Sequence, residues 1–166
     1  LDYLEHVEND DLVLEEMARV LKQAGQAVLV TPHTGDFFLL HKLRSALGLK
    51  LEYFGHKREG YAASELKAML ERVHLAVKAR VTYSRFFSEF FELLLNLIYI
   101  KLLAPKPALA KRDGHIRPSS LEEFKAQRKP FILYKLLYPL VWVVSRLDTL
   151  LFFQRGYSLM VWAEKI

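Results

Sequence analysis

Residues 19–32 read RVLKQAGQAVLVTP, which is the end of a charged helical segment, a glycine turn and an apolar run. Ahead of this stretch, apolar residues recur at helical spacing, at Leu14, Met17, Ala18 and Leu21. That spacing predicts a helix with one buried face, opened by the capping residues 9–11 and closed by Gly25. Residues 26–31 are rich in Val and Leu and predict a buried strand. Helix, glycine and buried strand together predict a crossover unit of a parallel sheet, and hence an α/β fold.

Composition limits the classes of protein that remain. The chain has 166 residues, of which 52% are hydrophobic and 26% charged, as in an ordinary globular domain. It contains no Cys, which excludes disulfides, Cys-ligated zinc and a thiol nucleophile and agrees with a cytoplasmic location. No apolar run approaches the roughly 18–20 residues that a membrane-spanning helix needs, so we expect none.

Positive charge is concentrated in one segment. Residues 101–135 carry nine Lys or Arg against three acidic residues, whereas the whole chain has a net charge of +5. This basic segment lies between two very apolar ones. The arrangement favours contact with a membrane surface or an anionic ligand over a nucleic-acid groove.

The rest of the chain divides into further elements. We predict helices at 37–47 and after Ser64 as N-cap, and a strand at 76–83 that alternates apolar and polar residues. Residues 84–103 predict an apolar helix with a narrow polar stripe, and overlapping capping boxes at 119–123 open another helix. Pro130 and Pro139 interrupt the apolar stretch that follows, so residues 131–153 predict two helical pieces. Gly156 then precedes a final strand over 157–164.

Four segments carry a resemblance to a known family. Residues 2–7 (DYLEHV) are similar to the segment that leaves the fourth strand of class I S-adenosylmethionine-dependent methyltransferases. Residues 19–25 resemble the family's turn before the fifth strand, apart from Gln23 and Ala24, and 28–32 resemble that strand with its terminal Pro. Residues 58–61 resemble the family's basic and aromatic pair before a helix. The likeness covers roughly 1–83 and 156–165.

The resemblance implies a fold and a division of the chain. It implies a partial Rossmann-like methyltransferase sheet that contains only the last strands, with the sixth and seventh forming an antiparallel hairpin. Residues 1–83 would be the C-terminal part of the core, 84–155 a large α-helical insertion before the final strand, and 156–166 that final strand.

The resemblance also implies a cofactor, S-adenosylmethionine. The family holds it with a Gly-rich loop after the first strand and an acidic residue after the second. The seven Gly residues of this chain form no G-x-G-x-x-G pattern. We therefore expect the cofactor-binding half to be missing here and this chain alone not to bind S-adenosylmethionine.

Candidate site residues follow from the same resemblance and from residue chemistry. His6 is a candidate general base, because a His titrates near neutral pH, with Glu5 to orient it and His33 facing the same cleft. Asp2 and Tyr3 are candidate cofactor contacts. A loop supplies candidate contacts for an anionic substrate group, at His56, Arg58 and Tyr61. Local packing or a solvated loop is the alternative for each. No His pair has metal-binding spacing, so the spacing predicts no metal site.

Two functions remain open. The resemblance implies a methyltransferase acting on a small-molecule, glycan or lipid-linked acceptor, with the apolar helices shaping its pocket. The alternative is a non-catalytic helical domain that binds a membrane surface or a partner protein. In either case we expect a cytoplasmic protein, with membrane association through the apolar and basic segments and with no nucleic-acid partner.

Overall fold

The computed structural model describes residues 2–34, 39–103, 121, 125 and 128–166. Within these ranges five α-helices and three strands make a mixed α/β structure. In chain order they are α1 (Asp10–Val20), β1 (Gln26–Pro32), α2 (Leu39–Ala46), α3 (Ala63–Arg72), β2 (Leu75–Tyr83), α4 (Phe86–Ile98), α5 (Arg128–Ser145) and β3 (Ser158–Lys165). Single 3₁₀ turns occur at Leu4–His6 and Leu51–Tyr53, α4 continues as a π-helix over Tyr99–Leu103, and α5 continues as a 3₁₀ helix over Arg146–Leu151.

The three strands form one sheet in the order β1–β3–β2, with both pairings antiparallel. Gln26 lies opposite Glu164, Leu75 lies opposite Lys165, and a bulge interrupts β2 between Val77 and Ala79. The expectation of a parallel sheet is therefore wrong for the described strands. β1 and β2 run in the same direction, but β3 lies between them. The antiparallel pairing of β2 with β3 agrees with the hairpin that the resemblance implies.

One face of the sheet carries the main hydrophobic core. Leu29, Val161 and Leu75 contribute from the three strands, and α1 and α3 cover them with Leu14 and Leu66. All five side chains are at most 2% exposed. The apolar residues whose spacing predicts α1 thus form the helix face that packs in one core with β1 and β3.

The opposite face of the sheet is largely open. Val28 and Trp162 are cross-strand partners on this face, and Val81 lies on the neighbouring strand. Their exposed fractions are 47%, 41% and 54%. The sheet is therefore packed on one side, although apolar side chains occupy both sides.

Helix boundaries confirm some sequence signals and correct others. Asn9 Oδ1 accepts a hydrogen bond of 3.1 Å from Leu12 N, so the predicted cap of α1 is confirmed. Ser64 lies inside α3 and does not cap it. Instead, Glu65 Oε2 accepts a hydrogen bond of 3.3 Å from the backbone N–H of Ala62.

The region between β2 and β3 is helical, as predicted, but its division differs. α5 runs as one helix through Pro139, so the prediction of two pieces is wrong. Pro139 leaves a backbone carbonyl one turn earlier without its helical donor. The exposed side chains around it show that α5 lies at the surface, where water can satisfy that carbonyl. The predicted capping boxes at 119–123 lie outside the described residues.

A second, smaller core joins this region to α2. Its buried members are Leu40, Leu49, Leu93, Ile100 and Tyr157. The contacts place α4 beside α2, over the carboxyl ends of β1 and β2. None of the helices in the described ranges combines the length and the apolar character needed to cross a bilayer.

Candidate functional site

A cavity of about 390 Å³ lies at the carboxyl ends of β1 and β2. The turn at the start of the chain forms one wall, and α2 and the first turns of α4 form the other. Ligands of open α/β sheets bind at the carboxyl ends of the parallel strands, which makes this cavity the candidate site. Four of the predicted site residues line it, namely Asp2, Glu5, His6 and His56.

Glu5 is the most unusual side chain in this wall. It is only 2% exposed, and its Oε2 has no hydrogen-bond partner among the described residues. The pKa of Glu5 is raised to about 7, chiefly by burial, with a smaller contribution from the nearby carboxylate of Asp2 and an opposing one from a backbone hydrogen bond. A buried carboxyl oxygen without a partner is costly, so Oε2 is a candidate contact for a ligand in the cavity.

His6 is held in one orientation by the backbone. Its Nδ1 lies 3.0 Å from the carbonyl oxygen of Gly55. A carbonyl can only accept a hydrogen bond, so Nδ1 donates, and the other ring nitrogen of the neutral imidazole keeps its lone pair. That nitrogen, Nε2, lies 4.0 Å from Glu5 Oε1. His6 therefore presents a proton acceptor beside the buried carboxyl group.

His56 completes a compact group with these two residues. Its ring meets the His6 ring edge-on, with 4.7 Å between the centroids. Burial lowers the pKa of His56 to about 4, with the charges of His6 and Arg44 as smaller contributions, so the ring is neutral at pH 7. One potential ligand atom from each of Glu5, His6 and His56 lies within 4.8 Å of the others. The prediction of no metal site considered spacing along the chain alone, and these three donors come together from separate segments.

The opposite wall contains a polar group that the sequence prediction missed. Arg44 Nη2 lies 2.7 Å from Glu89 Oε1 and 3.5 Å from Glu92 Oε1. Burial raises the pKa of Glu89 to about 7, and Glu92 adds to the shift while Arg44 opposes it. The available signal was the polar stripe on an otherwise apolar helix, to which both glutamates belong.

His41 also lines the cavity and was not predicted. Its ring stacks on the Tyr157 ring at 5.2 Å. Burial lowers the pKa of His41 to about 4, and the charge of Arg44 contributes. A lone His on a short amphipathic helix gives no sequence signal, because only the packing of α2 against α4 and Tyr157 turns it toward the cavity.

His33 has a different position from the one predicted. It is 4% exposed, and its Nδ1 donates to the carbonyl of Gly156 over 3.0 Å. Its backbone N–H donates to Tyr157 O over 2.7 Å, and it forms a parallel bridge with Tyr61. His33 thus joins the end of β1 to the start of β3 and to the loop before α3, and it is not among the residues that line the cavity.

Arg58 and Tyr61 belong to a separate network at the start of α1. Tyr61 Oη donates to Asp10 Oδ2 over 2.6 Å, and Arg58 Nη1 donates to the same oxygen over 2.8 Å. The guanidinium lies 3.9 Å from the centre of the Tyr61 ring and also pairs with Glu65. These side chains are engaged with the protein and lie outside the cavity lining. Tyr3 is not among the residues that line the cavity. Its ring stacks on the ring of His6, which does line it, with 6.5 Å between the centroids.

Comparisons with known proteins give only distant structural similarities. No protein-family model matches the chain, and no curated protein matches it. Among solved structures, one similar chain is assigned as a sarcosine dimethylglycine methyltransferase from Galdieria sulphuraria, with 9% identity and a TM-score of 0.47. Another is assigned as a methyltransferase from Bacillus halodurans C-125, with 15% identity and a TM-score of 0.49. Each match covers 99% of this chain, which spans 51% of the first protein and 67% of the second. Likenesses this low assign neither a family nor an activity.

Proposed function

We propose that this chain is the acceptor-side part of a class I S-adenosylmethionine-dependent methyltransferase that acts on a small-molecule, glycan or lipid-linked acceptor. One observation carries the proposal. The segment at residues 2–7, one of the four that carry the sequence resemblance, lies at the cavity at the carboxyl ends of β1 and β2 and contributes Asp2, Glu5 and His6 to its wall. Ligands of open α/β sheets bind at this position.

The cofactor site is only partly present in this sequence. Asp2 borders the cavity and Tyr3 stacks behind it, so we assign to them the end of S-adenosylmethionine that bears the methyl group. The sequence has no Gly-rich loop for the remainder of the molecule. The residues present therefore do not make a complete cofactor site, and the remainder would have to come from residues outside this sequence.

The proposed chemistry of the chain itself is proton removal from the acceptor. S-adenosylmethionine supplies the methyl group when it is bound. An acceptor hydroxyl must lose its proton as its oxygen bonds to the methyl carbon, and an acceptor ammonium must lose one beforehand to free the nitrogen lone pair. His6 Nε2 can take that proton because Nδ1 is already committed to Gly55. Glu5, 4.0 Å away, stabilises the imidazolium that results.

The cofactor part of the proposal is tested by calorimetry. This chain alone should show no binding of S-adenosylmethionine, and tight binding would contradict the assignment of a missing half. Translation of the genomic sequence upstream should give a strand–Gly-x-Gly–helix unit within about 100 residues. Its absence would overturn the proposal.

The catalytic part is tested with this chain joined to the cofactor-binding half that the proposal expects upstream. Methyl transfer from labelled S-adenosylmethionine to candidate acceptors should fall by about 10²–10⁴-fold in His6→Ala, the usual contribution of a general base. His74→Asn changes an exposed His outside the cavity lining and should retain activity. Equal activity of both variants would remove His6 from the mechanism.

A second candidate function, membrane contact, is supported by the surface of α5 and the turn that follows it. Large apolar side chains are exposed along this segment, including Leu136 at 75%, Phe152 at 79% and Phe153 at 70%. Basic residues Arg128, Lys135 and Arg146 lie in the same segment. An apolar surface with basic neighbours is typical of a helix that lies in a membrane interface. The basic residues Lys111, Arg112 and Arg117 lie outside the described residues.

Vesicle flotation separates this function from the catalytic one. The chain should float with vesicles that contain phosphatidylserine, and the double substitution Phe152→Ser with Phe153→Ser should reduce the bound fraction severalfold. Leu12→Ser, which changes an apolar residue 52% exposed on α1, is the matched control. Unchanged flotation of the double variant, or no flotation of the unmodified chain, would exclude this segment as a membrane contact.

A further inference from the structure

We propose that Glu5, His6 and His56 form a binding site for a divalent transition-metal ion of the zinc class. The proposal goes beyond methyl transfer but uses the same His6 Nε2 lone pair, because Nδ1 is committed to Gly55. The metal-bound form therefore excludes His6 as a general base, and metal binding is tested on its own. Two imidazoles and a carboxylate are a donor set that zinc and related ions accept. In this fold the set comes from two segments fifty residues apart in the chain.

The possible ligand atoms of Glu5, His6 and His56 lie only slightly farther apart than the ligand atoms of a metal site. Glu5 Oε1 lies 4.0 Å from His6 Nε2, and the ligand atoms of the three residues lie within 4.8 Å of one another. Around a tetrahedral ion with bonds of 2.0–2.2 Å, donor atoms lie roughly 3.4 Å apart. Binding therefore requires the donors to move closer by roughly 0.6–1.4 Å, mainly by movement of the Glu5 and His56 side chains, since His6 is held by Gly55.

The buried carboxyl group gives an independent indication of a ligand. Glu5 is 2% exposed, and its Oε2 has no partner in the described part of the chain. An oxygen that is buried and unsatisfied loses the hydration it has in the unfolded chain. A bound cation would replace that hydration. Glu5 also belongs to the cavity wall, so the site lies beside the cavity.

The orientation of His6 suits metal ligation. Its Nδ1–H donates to the carbonyl of Gly55, which leaves Nε2 as the free ligand atom. Metal-ligating histidines commonly donate their second ring N–H to a carbonyl or a carboxylate in this way. Lys57 N also donates to Glu5 O over 2.7 Å. These two hydrogen bonds tie the turn that carries Glu5 and His6 to the loop that carries His56.

Three protein ligands leave one tetrahedral position open. Because Glu5, His6 and His56 all line the cavity of about 390 Å³, that position faces the cavity. A closed structural zinc site has four protein ligands, whereas a site with three can hold water or a substrate oxygen. The proposed site therefore takes an exchangeable fourth ligand such as a hydroxyl, a carboxylate or water.

The test uses the chain without an affinity tag, after treatment with a chelator and removal of the chelator. Calorimetry with Zn²⁺ should show one site per chain, and Co²⁺ should give the intense visible bands of four-coordinate cobalt. Glu5→Gln and His56→Gln should each weaken binding at least about tenfold. The exposed His74→Asn should bind as the unmodified chain does.

Far-UV circular dichroism of each variant shows whether it is folded. His56→Gln is informative even if Glu5→Gln does not fold, because the His56 ring makes no hydrogen bond to the described residues and its loss should leave the fold intact. No binding by the folded unmodified chain would overturn the proposal. Binding that persists unchanged in folded His56→Gln would do the same. If this chain, joined to the cofactor-binding half that the proposal expects, bound metal but transferred no methyl group, that result would count against the proposed function alone.

Discussion

Asp148 Oδ1 accepts a hydrogen bond of 2.8 Å from the backbone N–H of Phe87, sixty-one residues away. Its Oδ2 accepts a second one of 2.8 Å from Arg85 N. The carboxylate therefore caps the first turn of α4, where Arg85 as the N-cap residue supplies no side-chain cap. This contact ties the junction of β2 and α4 to the 3₁₀ helix that follows α5.

Asp148→Ala should lower the free energy of unfolding by about 2 kcal/mol, because two partly buried backbone donors and the helix N-terminus lose a charged acceptor. Urea unfolding measures the change. Asp11→Ala is the control, since Asp11 makes an exposed ion pair with Arg72 and should cost below about 1 kcal/mol. Equal losses in the two variants would contradict the capping role of Asp148.

The Tyr61 hydroxyl should stabilise the fold in a way that depends on pH. Burial tends to raise the pKa of Asp10, but the hydrogen bonds from Tyr61 and Arg58 outweigh it and hold the pKa below its ordinary 3.8. A lowered folded-state pKa contributes stability that is present above 3.8 and is lost as pH falls through the folded value. Tyr61→Phe should therefore lower the free energy of unfolding by about 1 kcal/mol at pH 7 and by less in acid.

Urea unfolding of the unmodified chain and of Tyr61→Phe, from pH 7 down to the lowest pH at which both remain folded, measures this difference. Tyr134→Phe, at an exposed position, should be neutral throughout. A difference that does not shrink toward low pH would mean that Asp10 is not the partner whose charge matters.

Glu89 should have the opposite dependence on pH. Burial raises its folded-state pKa from 4.5 to about 7 despite the ion pair with Arg44. Its contribution to stability is therefore complete below 4.5 and is lost as pH rises through 7. In Glu89→Gln, the glutamine side chain has no carboxyl group to titrate. The stability of the unmodified chain relative to this variant should fall by about 2 kcal/mol between pH 5 and pH 8.

The comparison uses urea unfolding at several pH values, with Glu92→Gln as the control on the same helix. The Glu92 side chain is 56% exposed and should show little of this effect. Parallel pH profiles for the unmodified chain and Glu89→Gln would show that Glu89 remains ionised in the folded protein across this range.

Gly60 should not tolerate a side chain. A Cβ at this position would lie 2.2 Å from the backbone oxygen of Pro32, and its φ is +135°. Gly60→Ala should therefore destabilise the fold by more than about 3 kcal/mol, since it combines strain with a backbone clash. Gly48, with φ +74° and nothing within 4 Å, offers the matched control, and Gly48→Ala should cost about 1 kcal/mol. Thermal unfolding ranks the two, and the reverse ranking would contradict the close approach of residues 60 and 32.

Several elements were predictable because they depend on neighbouring residues. The cap at Asn9, the buried face of α1 and the strands β1 and β3 follow from interactions within one helical turn or one strand. Predictions made the same way at Ser64 and Pro139 were wrong. Glu65 satisfies the backbone donor at the start of α3, and the surface position of α5 removes the cost of its proline, and neither is visible in local sequence.

The candidate site was only half predictable for the same reason. Asp2, Glu5 and His6 were found because the sequence resemblance includes them, and the structure does place them in the cavity wall. Arg58 and Tyr61 were grouped with His56 because all three lie in one loop. The chain turns between them, so His56 faces the cavity while the other two face Asp10.

The sequence by itself determined the local elements, the absence of cysteine chemistry and the acidic and imidazole groups available for a site, because residue type and periodicity encode them directly. Only the tertiary structure decided that β3 lies between β1 and β2 and that His56 meets the Glu5–His6 pair. Both depend on contacts between residues far apart in the chain. Such contacts are selected by the packing of whole elements, so local spacing cannot reveal them.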